Sequence, residues 1–222
     1  MLYTCGLDSI GAREGYDLHG SLHNIPAEIV RAECNGEGIF VEAIVRDTAL
    51  FGRDLVLRRR ITSGIGADSF SVEDTLVNEG FREEEYCILY HMNIGYPMLD
   101  SGARVIARVD GIEPRTEWSA KNIDTAFEMS EAGPEMEETC YFIKMAEPAV
   151  VLVNSSVGKQ LTLRYSGDTL PHFVEWKSMA SGDYALGFEP CTSVLDGGFE
   201  YKRIGAGESV RFSLSIAVNE IK

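Results

Sequence analysis

Apolar and polar residues alternate with a period of two along much of the chain. Near the C-terminus, Val210, Phe212, Leu214 and Ile216 alternate with Arg211, Ser213 and Ser215. One face of such a segment is apolar and the other polar, as a half-buried antiparallel strand requires. Leu161, Leu163 and Tyr165 alternate with Thr162 and Arg164 in the same way, and Phe70 and Val72 with Ser71 and Glu73. Further strands are predicted at Gly38 to Asp47, Asp54 to Thr62, Tyr86 to Ile94, Ala103 to Val109, Thr139 to Met145, Ala149 to Asn154 and Tyr184 to Glu189. Turn residues separate many of them: Asn35-Gly36, Ser63-Gly64, Asn78-Glu79-Gly80, Ser166-Gly167-Asp168 and Asp196-Gly197-Gly198. No stretch sustains a 3.6-residue apolar period. About ten strands joined by short polar connections predict an all-β chain, a large sandwich of mostly antiparallel strands. Residues 1–222 are read as a single domain. The segment Asp110–Glu138 departs from the pattern, being acidic, poorly alternating and interrupted by Pro114 and Pro134. It is expected to leave the sandwich as a long excursion with one helical turn, and such excursions often border binding sites.

Composition narrows the function classes. At 45% hydrophobic residues the chain is globular rather than disordered. Lys and Arg number 20 against 35 Asp and Glu, a formal charge of −15. That balance argues against nucleic-acid and anionic-lipid partners, which need clustered basic side chains. No segment is long and apolar enough to span a membrane, and the first residues lack the basic and apolar regions of a signal peptide, so a cytoplasmic protein is expected. The five cysteines, Cys5, Cys34, Cys87, Cys140 and Cys191, are odd in number and widely spaced, without a CxxC pair. They read as reduced thiols, most of them small buried hydrophobes, rather than as a disulfide framework or zinc site.

Candidate chemistry is sparse. The four histidines are His19, His23, His91 and His172. A structural role is the ordinary reading for each. His91 rises above it because it continues the apolar run Cys87-Ile88-Leu89 and leads into Asn93 and Gly95, a polar cluster at a strand end. Glu189 closes the run from Asp183 and precedes Pro190. A carboxylate so placed would be partly desolvated, which raises its pKa toward the range useful for a base; a solvated strand-end glutamate is the alternative. His19 and His23, with His91 and Glu189, could form a metal site, but Gly20 and Pro26 are at odds with the helix that the i,i+4 spacing would need. No nucleotide-binding or nucleophile-elbow motif occurs, and neither cofactor nor metal is expected. Arg58, Arg59 and Arg60 sit in a predicted strand and read as a solvated edge rather than a phosphate clamp.

Several stretches together resemble the aldose 1-epimerase-like proteins of the galactose mutarotase superfamily, and within it a bacterial branch labelled as a domain of unknown function (DUF4432). They are residues 2–7 (LYTCGL), Leu18-His19-Gly20 with 24–27 (NIPA), 72–75 (VEDT) with 78–80 (NEG), 89–97 (LYHMNIGYP), 113–116 (EPRT), and 176–179 (WKSM) with 187–190 (GFEP). The resemblance implies a β-supersandwich holding a sugar in an open cleft. It implies that Glu189 takes the proton of the anomeric hydroxyl, that His91 protonates the ring oxygen, and that His19 binds sugar hydroxyls. A carboxylate and an imidazole on opposite sides of a hemiacetal suffice for that chemistry without a cofactor. Asn93, Trp176, Lys177, Arg115 and Asp100 are further sugar-binding candidates, Trp176 as an aromatic platform and Lys177 as a hydroxyl donor. For Trp176 and Lys177, a core indole with an exposed ammonium is the alternative.

This sequence departs from the branch in three ways. The relatives carry extra strands before the LYTCGL stretch, so an open sheet edge is expected, and either the chain is truncated or a partner subunit, as in a homodimer, covers the gap. Ser21 stands where the branch often has an Arg. His23 is not part of the pattern. The leading reading is therefore a sugar epimerase acting at the anomeric carbon. Its rivals are a non-catalytic carbohydrate-binding or sensor protein, an epimerase or isomerase of a modified sugar, and a metal-dependent isomerase using His19, His23 and His91.

Overall fold

A computed structural model describes residues 1–221. Among them thirteen strands form one continuous, largely antiparallel sheet. The strands are β1 (Leu2–Leu7), β2 (Glu28–Asn35), β3 (Gly38–Thr48), β4 (Asp54–Ser63), β5 (Ser69–Asn78), β6 (Glu84–Ile94), β7 (Arg104–Pro114), β8 (Thr139–Asn154), β9 (Lys159–Tyr165), β10 (His172–Ser178), β11 (Ala185–Cys191), β12 (Lys202–Ile204) and β13 (Ser209–Glu220). Their spatial order is β1-β6-β11-β10-β8-β9-β13-β5-β4-β3-β2, with β12 also on β6 and β7 also on β8.

The sheet folds over on itself at β8. The first part of β8 pairs with β10 and the last part with β9. The two predicted strands at Thr139–Met145 and Ala149–Asn154 are thus one strand of 16 residues, which carries the chain from one layer to the other. Side chains from both layers meet in the main core. Ile88, Tyr90, Phe173 and Phe188 from one layer pack with Leu57, Val72, Leu76, Phe212 and Leu214 from the other. Tyr90 and Phe212 meet across it with ring centroids 6.1 Å apart. This is the predicted all-β sandwich.

Four strands, β1, β2, β10 and β12, carry no clear alternation and are not predicted from the pattern. The expected excursion is shorter than read, because Asp110–Pro114 stay paired with β8 as the end of β7. Residues 115–138 do leave the sheet. They include a five-residue helix, α1 (Glu117–Lys121), capped by Thr116, whose side chain accepts from the Ser119 amide.

The arginine run is not a solvated edge, since β4 lies between β3 and β5. Strand alternation turns Arg59 inward, where it grips both oxygens of buried Asp74 at 2.7 and 2.8 Å and donates to Thr4 Oγ1. Tyr90 OH donates to the same carboxylate. Arg58 and Arg60 point outward and pair with Glu79 and Glu42.

A candidate active site on the outer face of one layer

In β6 the even residues Ile88, Tyr90 and Met92 enter the main core. The odd ones, Cys87, Leu89, His91 and Asn93, therefore face the other way. In β11, Leu186 and Phe188 face the core, which turns Gly187, Glu189 and Cys191 outward. In β10, Trp176 shares that outer face, and in β8 Cys140 does. Neighbouring strands thus lay their outward side chains side by side as a floor.

The pairing register decides the chemistry. Phe188 lies opposite Met92 and Cys191 opposite Leu89, so Glu189 falls across from His91. His91 Nε2 is 2.9 Å from Glu189 Oε1. The approach lacks the alignment of a hydrogen bond, and Oε1 and His91 Nδ1 are otherwise buried without a partner. Glu189 is 2% exposed and lies within β11, not at its end as the sequence suggested. The two groups are adjacent because their strands are neighbours. Buried cysteines from four strands (Cys5, Cys87, Cys140 and Cys191) share this layer. All are free, and Cys34 alone is exposed. Burial and the nearby Glu189 push the Cys140 thiol up to about 12, so it is no nucleophile near neutrality.

Two glycines make the arrangement sterically possible. A Cβ on Gly187 would stand 2.7 Å from both Glu189 Oε1 and His91 Cε1. Gly20 has φ of 77°, and a Cβ there would meet Ser9 O at 2.3 Å and Gly6 O at 2.6 Å. This close backbone contact is why glycine follows His19. It sets the imidazole edge-on to His91, with ring centroids 5.8 Å apart. His19 Nδ1 faces Ile10 O at 3.1 Å. A carbonyl only accepts, so Nδ1 carries the proton there and Nε2 of the neutral ring is free to accept from a ligand hydroxyl.

Above this floor lies a cleft of about 650 Å³, lined by His19, His91, Asn93, Arg115, Trp176 and Glu189 among others. The fold thus brings together six of the eight side chains singled out from sequence. The other two lie elsewhere. Lys177 follows Trp176 and so points to the opposite face, where its ammonium donates to the carbonyls of Thr125, Ala126 and Glu128. It is a buried clamp on the 115–138 segment, not a hydroxyl donor in the cleft. The Asp100 side chain caps the amide of Ser101 in the turn between β6 and β7. His23 packs on Tyr3, with ring centroids 4.5 Å apart, and is not part of the cleft lining. Among the described residues no group of three or more His, Cys, Asp or Glu is placed to hold a metal ion.

The cleft has residues that sequence reasoning missed. Glu138 Oε2 accepts from the Trp176 indole at 2.7 Å and so orients the ring. Asp196 holds Arg115 in a two-point pair of 2.6 and 2.9 Å, which raises the pKa of the guanidinium further. Asp196 had registered only as part of a turn, and Glu138 only as part of an acidic segment. A second concavity of about 620 Å³ lies against β3, β4, β5 and β13. Its lining contains no histidine, and of its four arginines Arg58, Arg59 and Arg60 are paired with Glu79, Asp74 and Glu42.

The fold is that of galactose mutarotase-like proteins. A candidate aldose 1-epimerase from Klebsiella pneumoniae superimposes with a TM-score of 0.86 at 24% identity, covering 98% of this chain. This chain spans 62% of that protein's length. A galactose mutarotase-like protein from Clostridium acetobutylicum gives 0.70 at 13% identity, covering 99% of this chain and 79% of its own. A galactose mutarotase related enzyme from Lactobacillus acidophilus gives 0.68 at 13%, covering 99% and 85%. The chain belongs to the DUF4432 family, described as a domain of unknown function, whose family model matches residues 1–217. No curated protein matches it. Among the described residues no helix is long and apolar enough to cross a membrane.

The site geometry makes a direct prediction. Gly187→Ala must push His91 and Glu189 apart or out of line. A displacement of this kind costs about a hundredfold in rate when the displaced groups do the chemistry. Far-ultraviolet circular dichroism should show the sheet intact while any activity measured in the cleft falls by that factor. Wild-type activity in this variant would mean that the His91–Glu189 contact is not used.

Proposed function

We propose that this chain binds a free sugar in the cleft and interconverts its anomers by opening and reclosing the ring. The observation that supports this best is the contact between Glu189 and His91 on the floor of an open cleft. The anomeric hydroxyl and the ring oxygen are bonded to the same carbon. A base and an acid that serve both must therefore be close neighbours, as these two are.

Glu189 takes the proton from the anomeric hydroxyl. The electrons of that O–H bond form the carbonyl, the bond between the anomeric carbon and the ring oxygen breaks, and the ring oxygen takes a proton from His91 Nε2. Rotation about the adjacent carbon–carbon bond turns the other face of the carbonyl toward the hydroxyl. Reclosure returns one proton to His91 and one to the new anomeric oxygen, so nothing is consumed. His19 Nε2 and the Asn93 amide hold hydroxyls, and the Trp176 face covers the apolar face of a ring. The two proton transfers are of the kind that positioned side chains assist, typically by 10²–10⁴-fold each.

The test is anomer exchange by NMR on a panel of free aldoses. Exchange above the buffer rate for at least one sugar is the expected result. Folded protein that binds sugars and accelerates none would replace this reading with a non-catalytic carbohydrate-binding protein.

A further inference from the structure

We infer that the sugar taken by this cleft is longer than one ring: a reducing disaccharide whose second, uncharged unit lies along Trp176 toward the Arg115–Asp196 pair. The inference rests on the reading of the cleft as a sugar site and extends it to the substrate class.

The length of the floor is the first argument. His91, Glu189, Trp176 and Cys140 come from β6, β11, β10 and β8, which are successive neighbours. At roughly 4.8 Å per strand, three steps span about 14 Å. The acid and base occupy only the first two strands. Arg115 extends the wall beyond β8, since it follows the last residue of β7 and its amide donates to Cys140 O. The cavity, about 650 Å³, lies mid-range for ligands of drug size, roughly 300–1,000 Å³, and exceeds what a single pyranose fills.

The far half of the cleft has polar groups that ring opening does not use. Trp176 is fixed by Glu138, and the Arg115 fork is fixed by Asp196. A paired guanidinium and carboxylate offer donors and acceptors side by side, which suits neighbouring hydroxyls. Charge excludes an acidic second unit. Three carboxylates, Glu138, Glu189 and Asp196, line the cleft against one guanidinium already paired. A phosphate or uronate there would meet net repulsion.

The experiment compares kcat/KM for anomer exchange of glucose and galactose with that of maltose, cellobiose and lactose. In parallel, calorimetry measures the binding of the same sugars to Glu189→Gln. At least one disaccharide should exceed its reducing-end monosaccharide by about tenfold in both measurements, the size of one hydroxyl contact to a charged group. In Arg115→Ala that ratio should fall to within about twofold. Monosaccharides equal to or better than every disaccharide in both measurements would overturn the inference and leave the proposed activity standing. Disaccharide-selective binding without exchange would support the extended site and sink the catalytic reading. Tighter binding of glucuronic acid-containing or phosphorylated disaccharides than of neutral ones would overturn the charge argument and with it the stated class.

Discussion

Glu189→Gln is expected to lower enzyme-accelerated anomer exchange by about a thousandfold while leaving the fold and sugar binding in place. The amide has the shape of the carboxylate but cannot take a proton, so the loss falls on the chemical step, within the 10²–10⁴ typical of a positioned base. Folding should not suffer. Glu189 is 2% exposed and its inner oxygen lacks an aligned hydrogen-bond partner, so a neutral group is no worse satisfied there. The measurements are exchange NMR for the rate, titration calorimetry for binding and a thermal melt for stability. Wild-type exchange in this variant would remove Glu189 from the mechanism. Loss of binding together with rate would make it a ligand contact rather than a base.

Lys177→Met is expected to destabilise the protein by about 3–5 kcal/mol, because several carbonyls lose one charged donor at once. The carbonyls of Thr125, Ala126 and Glu128 would lose the ammonium they share. Glu175, 3.8 Å from that ammonium, adds little to the loss because it is protonated. Glu175 is 0% exposed and both its oxygens are unpartnered. Burial therefore raises its pKa from 4.5 to about 8, and the nearby Lys177 offsets this only in part. Burial also pushes Lys177 down, but three carbonyl acceptors hold its proton, so Glu175 is the neutral partner near neutrality.

Glu175→Gln should have the opposite sign, with a distinct pH signature. Wild-type Glu175 keeps its proton in the folded state but loses it in the unfolded state above about 4.5. Its contribution to stability is thus fully present below that value and is lost as pH rises toward 8. The variant has no such proton, so its stability relative to wild type should grow by about 1.4 kcal/mol per pH unit across that window. Urea melts at pH 5.5, 7 and 8 would measure it. A difference that does not change with pH would mean that Glu175 is ionised in the folded protein. For Lys177→Met, hydrogen exchange should rise over residues 122–129, and unchanged protection there would contradict the clamp.

Much of this protein is legible in its sequence. Strands that bury one face announce themselves, and β13, β9 and β5 were readable from alternation alone because one side meets the core and the other water. Part of the local placement was legible too. His91 continues a buried run and His19 sits beside a turn glycine, but Glu189 does not close its run, because β11 and its burial go on to Cys191. Strands whose two faces are both occupied gave no such signal. In β10, Trp176 and Val174 lie on the outer face of the layer, Trp176 lining the cleft and Val174 buried among its apolar neighbours, while Glu175 and Lys177 face the interior, so the run reads as neither alternating nor apolar.

What only the tertiary structure decided is who meets whom. The side-by-side contact of Glu189 with His91 follows from a register between β6 and β11, strands about a hundred residues apart in the chain. The two-point pair of Arg115 with Asp196 bridges 81 residues in the same way. Adjacent residues were equally undecidable: Trp176 and Lys177 are neighbours in sequence, yet strand alternation sends one to the cleft and the other to the core. Alternation fixes that two neighbours part, but only the packing of the second layer fixes which of the two faces water.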